Sequence, residues 1–140
     1  MNERSLFDAG DLAGRILLGL LFVLEAFMKL GAYADAVQYT VAYGVPAQML
    51  PAAIALELGA GLMMVVGWQT RIAAFALSGF CVMVALIFHT KFSDLNQLIH
   101  FQKDFALAGA FLVVWARGAG AFSIDAWQGG FGERGNLRRV

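Results

Sequence analysis

Charge is scarce in this chain, and thiol chemistry scarcer. Of 140 residues, 14% are charged, and the formal net charge is zero. Ordinary soluble domains carry about 25% charged residues. A zero balance offers no basic face to nucleic acid. One cysteine, Cys81, excludes an internal disulfide and any CxxC redox or zinc motif. It lies inside an apolar run and reads as a small buried hydrophobe. Two histidines, His89 and His100, are poor candidates for haem or metal ligation, because His89 ends an apolar run and His100 reads as a loop residue. No metal site is expected. Gly59-Ala60-Gly61 and Gly118-Ala119-Gly120 lack the strand–turn–helix setting of a phosphate loop. Gly10 with Gly14 and Ala55 with Gly59 suit close helix packing instead.

Apolar residues are abundant, at 60% of the chain. They fall into four runs, and the composition predicts an all-α, up-and-down bundle of four transmembrane helices. The spans are about 11–30, 51–67, 71–89 and 103–117, within one membrane-embedded domain over 1–128. Ile72 to Phe88 carries no charge and no polar stripe, unlike an amphipathic soluble helix. Pro51 can open the second span, since a first-turn residue needs no N–H. The second and fourth runs are short for a lone span, which wants roughly 17–25 residues, and depend on the bundle. Glu25 and Lys29 interrupt the first run where a cleavable leader would be clean, so the first span is expected to stay.

With four spans both termini share a side. That side carries Arg4, Arg15, Arg71, Arg117, Arg134, Arg138 and Arg139; the other carries Lys29, Lys91 and Lys103. The positive-inside rule then puts both termini in the cytoplasm. Trp68, Trp115 and Trp127 mark the inner interface, and Tyr33, Tyr39 and Tyr43 the outer. Arg71 and Arg117 read as headgroup anchors, and the Gly- and Arg-rich tail 129–140 as flexible and drawn to anionic lipid. The outer connections are long, and each predicts a short interfacial helix. One covers Tyr33 to Tyr43; the other covers Asp94 to Ile99, capped by Ser93.

Five ionisable residues lie in or beside the apolar runs: Glu25, Lys29, Glu57, His89 and Lys103. Charge at a helix centre in lipid costs roughly 2.5–3.5 kcal/mol on insertion scales, so such residues face a bundle interior. Alternating topology brings all five to the outer half. Glu25 and Lys29, four apart, share a helix face with Phe22, Leu18 and Arg15. Glu57 has no partner in its own helix. A histidine beside a carboxylate suits proton transfer near neutral pH. A lysine there suits a developing oxyanion such as a phenolate. Glu57 and His89 are therefore the candidate catalytic residues, and Lys29, Lys103 and Glu25 the candidate substrate-binding residues. A purely structural ion-paired plug is the competing reading.

The order of several pieces resembles the DoxX family of small prokaryotic membrane proteins. These are Arg15 with Gly19, Lys29-Leu30, Gly44-Val45-Pro46, Glu57-Leu58-Gly59, Gly67, Thr70-Arg71, Phe88-His89 and Lys103. The segment Gly118-Ala119-Gly120-Ala121-Phe122-Ser123-Ile124-Asp125 closes the series. Two positions depart from the family pattern: Ala26 stands for a glycine and Ala119 for a proline. Glu25 lies outside it. The resemblance implies a four-helix inner-membrane protein associated with quinone-linked redox or detoxification chemistry. A small phenolic or quinone-like ligand, a partner oxidoreductase and a homo-oligomer are implied partners. A non-catalytic scaffold and a small-molecule permease remain open alternatives.

Overall fold

A computed structural model describes residues 3–129, and no strand occurs among them. The helices are α1 (Glu3–Gly31), α2 (Tyr33–Ala42), α3 (Met49–Val66), α4 (Thr70–Phe88) and α5 (Leu95–Arg117). By length and composition α3, α4 and α5 can each cross a membrane. α1 passes that test only together with α2, from which it is bent by 100°. Among the described residues, three helices are therefore long and apolar enough to cross a membrane, or four spans if the bent pair is one. Large apolar side chains such as Leu17, Met28, Ile72 and Phe75 stand exposed around the outside. Water would oppose so much exposed apolar surface, whereas lipid accepts it.

Two close antiparallel pairs, α1 with α3 and α4 with α5, are joined along α3 and α4, and α1 barely touches α5. The end where α1 stops and α3 begins is called upper here. The end holding the α3–α4 turn is called lower. α1 buries Arg15, Gly19, Phe22, Val23 and Ala26, one face at helical spacing. α3 answers with Leu50, Ile54, Glu57, Gly61 and Met64. Backbones touch where Gly19 meets Gly61: a Cβ on Gly19 would lie 2.6 Å from the Gly61 carbonyl oxygen. The sequence pointed to other small residues. Gly10, Gly14 and Gly59 have open space where a Cβ would stand, and Ala55 is exposed. Rotation about each helix axis follows the whole buried stripe, and those small residues lie off it. At mid-height Phe22 packs edge-on against Phe80 and Phe111, with centroids 6.3 and 5.5 Å away. Ser78 Oγ donates to the Ala108 carbonyl at 3.0 Å, tying α4 to α5.

The lower end is closed by backbone. Gly67 ends α3 at φ 72°, and its N–H bonds the Met63 carbonyl at 2.9 Å. A side chain there would also collide with the Arg15 guanidinium. Arg15 Nη2 donates to the Phe122 carbonyl at 2.6 Å. Asp125 accepts from the N–H groups of Gln69 and Thr70 at 2.7 and 2.9 Å, capping α4. Asp125 N–H returns a bond to the Gly67 carbonyl at 2.9 Å.

Three helix starts differ from the sequence reading. α3 begins at Met49, so Pro51 stands third in it rather than opening it. α1 begins at Glu3, a full two turns before Asp11. The separate helix expected over Asp94 to Ile99 is instead the first turn of α5. Its cap is Asp94, not Ser93: the Asp94 carboxylate accepts the Asn96 N–H at 2.9 Å. No breaker separates Ile99 from Lys103, so the helix runs through. His100 is therefore helical rather than in a loop. From 130 onward, the tail read as flexible lies outside the described residues.

Candidate functional site

Lys29 holds together the first of two polar clusters at the upper end. The four-residue step from Glu25 to Lys29 places both on one face of α1, and α3 runs antiparallel beside it. Lys29 Nζ donates to Glu57 Oε1 and lies 3.7 Å from Glu25 Oε2. Glu57 is fully buried, and its Oε2 has no hydrogen-bond partner among the described residues. A buried carboxylate needs such a cation, since an unpaired ion there is strongly destabilising.

The second cluster belongs to α4 and α5. His89, the residue that ends α4, lies 3.1 Å from Gln97 Oε1 through Nδ1. Its Nε2 lies 3.6 Å from Asp104 Oδ2. Gln97 Nε2 donates in turn to the Tyr43 hydroxyl at 3.3 Å. With Gln97 accepting, Nδ1 carries the imidazole proton and Nε2 is left facing Asp104. That arrangement can take up a proton at Nε2 and stabilise the resulting charge. The His100 ring stacks on His89 at 5.1 Å between centroids.

Beneath α2 a cavity of about 780 Å³ borders both clusters. Glu25, Lys29 and His89 line it, with an otherwise largely apolar wall that includes Leu56, Phe80 and Met83. α1, α2, α3 and α4 contribute to its lining. Tyr39 at its rim stacks on Phe88 at 5.6 Å. Small-molecule sites commonly span about 300–1,000 Å³, mostly apolar with few polar groups. Among the described residues no group of three His, Cys, Asp or Glu side chains could hold a metal ion.

Of the five residues singled out from sequence, Glu25 and Glu57 both meet Lys29; Glu25 and Lys29 line the cavity, and Glu57 lies buried behind them, off its lining. His89 borders the cavity from α4. Lys103 is exposed and takes no place in the cavity lining. Its neighbour Asp104 is the buried one, and the sequence reading missed it. A signal existed: Asp104 stands four and seven residues before Ala108 and Phe111, the buried stripe of α5. Gln97 was missed as well, and Tyr43 was read only as an interface marker, because uncharged polar side chains in the expected interfacial helices give no sign of facing the site.

The DoxX family pattern matches residues 10–90. The chain belongs to the DoxX family. The inner membrane protein YqjF of Escherichia coli K12 is 39% identical over 122 residues, covering 87% of this chain and 94% of its own. The inner membrane protein YphA of the same organism is 33% identical over 139 residues, covering 89% and 99%. No solved structure matches. In this DoxX protein the family match takes in Glu25, Lys29, Glu57 and His89. Asp104 and the rest of α5 lie beyond it, within the second helix pair.

Proposed function

We propose that this DoxX protein is an inner-membrane protein whose upper cavity binds a small apolar molecule with a protic head, of the phenol or quinone class. The names of both relatives support the inner membrane. The fuller membrane arrangement belongs to the same reading. α1 is the fourth span of an up-and-down bundle, α2 lies in the interface, and both termini face the cytoplasm by the arginine asymmetry. The cavity then opens in the outer half of the bilayer.

One observation carries the reading. A largely apolar cavity of about 780 Å³ is bordered by the Lys29–Glu25 pair, with buried Glu57 behind Lys29, and by a histidine facing a carboxylate. The apolar wall suits a ring or chain, and Lys29 suits an oxyanion. Glu57 and His89 are the proton-handling groups, and Asp104 positions His89. Glu25 lies on the ligand's path beside Lys29. None of these side chains carries electrons, so in a redox role the electrons belong to a bound quinone or to a partner oxidoreductase. The protein thus acts as a subunit or accessory of quinone-linked redox or detoxification chemistry.

A permease is the second reading, favoured by the cavity's place between two helix pairs with little contact across α1 and α5. The deciding experiment is purification in mild detergent with identification of every bound small molecule. Recovery of a phenolic or quinone-like compound from the native chain, absent from Glu57→Gln, supports the site. Equal recovery from both removes Glu57 from it. Counterflow of a labelled phenol in vesicles would instead favour transport.

A further inference from the structure

A second cleft, of about 510 Å³, opens at the lower end between the start of α4 and the end of α5. Thr70, Arg71, Arg117, Gly118, Gly120 and Ser123 are among its walls. Two arginines line it from different helices, Arg71 from α4 and Arg117 from α5. Arg71 lies along Gly118, where a Cβ would stand 3.4 Å from its Nε. Its Nη2 has a single long bond, 3.4 Å to the Ala116 carbonyl. Arg117 is exposed, with Asp11 at 3.7 Å. The Asp125 carboxylate is also present, but each of its oxygens is already taken by a backbone N–H at the start of α4. Thr70 supplies an independent sign. It is fully buried and lines the cleft, yet its Oγ1 has no hydrogen-bond partner among the described residues. A buried hydroxyl without a partner is unusual, because it has lost its water and gained nothing.

We propose that this cleft binds a phosphate group, with Arg71 and Arg117 as the charged walls and the Thr70 hydroxyl as a donor within. A phosphate offers several acceptor oxygens at once, which suits guanidinium forks together with a hydroxyl. The setting favours a phospholipid headgroup as the source. The cleft lies at a helix-bundle end where Trp68 and Trp127 are exposed, and tryptophans concentrate at headgroup depth. This site is independent of the upper cavity and does not rest on the reading given for it.

The test uses the full chain in a maltoside detergent, which carries no phosphate. Its thermal midpoint is followed with added phosphatidylglycerol and, separately, with inorganic phosphate. A rise with the lipid alone supports the site with a headgroup as source. A rise with inorganic phosphate supports it with a soluble source. No rise with either overturns it. Removing each arginine as Gln is expected to weaken lipid binding roughly fivefold, and the double Arg71→Gln/Arg117→Gln chain is expected to lose most of the shift. Lys91→Gln, at the other end, is expected to leave it unchanged; an equal loss there overturns the proposal in favour of general charge attraction. Thr70→Val separates a donor from a filler. If its unliganded midpoint holds while lipid binding falls, and Thr70→Ser restores binding, the hydroxyl donates. Binding that survives Thr70→Val unchanged overturns its role.

Discussion

Asp125 and Glu57 are both carboxylates that tie one element to another, and the two halves of the molecule use them differently. Asp125 closes on backbone: two N–H groups of the α3–α4 connection occupy both its oxygens. Glu57 closes on a side chain, and one of its oxygens stays unused. The contrast extends to the neighbours. At the lower end Arg15 reaches a carbonyl, and the 118–125 segment folds back under the bundle. At the upper end Lys29 pairs with Glu57 and Glu25, and His89 lies between Gln97 and Asp104, in two side-chain clusters beside a cavity. Backbone partners are fixed by the fold, whereas side-chain partners can be exchanged for a ligand. Arg15 and Asp125 at the lower end therefore secure the chain, whereas the charges of the upper clusters remain available for chemistry.

The largest expected effect separates the two ends at once. Lys29→Met strands Glu57 without its cation and is expected to lower stability by about 3–5 kcal/mol, read from denaturation in mixed detergent. Adding Glu57→Leu to that chain should restore most of it while ligand retention stays lost. If stability does not return, the pair is not the cause. Asp125→Ala comes next, at about 1–2 kcal/mol for a lost helix cap. Retention of an upper-cavity ligand is expected to be unchanged, and a parallel loss would break the division between ends. His89→Gln should move the midpoint little, yet weaken a phenolic ligand about tenfold, the scale of one charged hydrogen bond. Equilibrium dialysis measures it, and equal affinity would leave His89 structural. Smallest of all is Lys103→Ala, expected within ±0.5 kcal/mol in stability as an exposed site and neutral for ligand. A clear loss of ligand would return Lys103 to the site.

Sequence reasoning reached the upper site by topology, since alternating spans bring helix ends together whatever their rotation. The α1 face was legible too, because Arg15, Leu18, Phe22, Glu25 and Lys29 follow helical spacing. Rotation of α5 was not legible. Apolar residues surround that helix, so nothing in the pattern told Lys103 from Asp104, about 100° apart on the helix wheel. The same ambiguity hid the glycine contact. Gly59 and Gly61 look alike in sequence, and only Gly61 faces α1. The true start of α5 was missed because an apolar-run criterion passes over a polar first turn capped by Asp94.

The double engagement of Lys29 bears on the order in which the protein is made. α1 leaves the ribosome well before α3, so Lys29 precedes the carboxylate that finally holds it. Glu25, one turn back and 3.7 Å away in the finished fold, is the companion available during that interval. A Glu25→Gln chain should accordingly match the native one once assembled, but insert less often, which glycosylation mapping of nascent α1 would read. In the second half of the chain the sequence of arrivals needs no such escort. His89 comes first and can travel as a neutral ring, and Asp104 finds it already waiting.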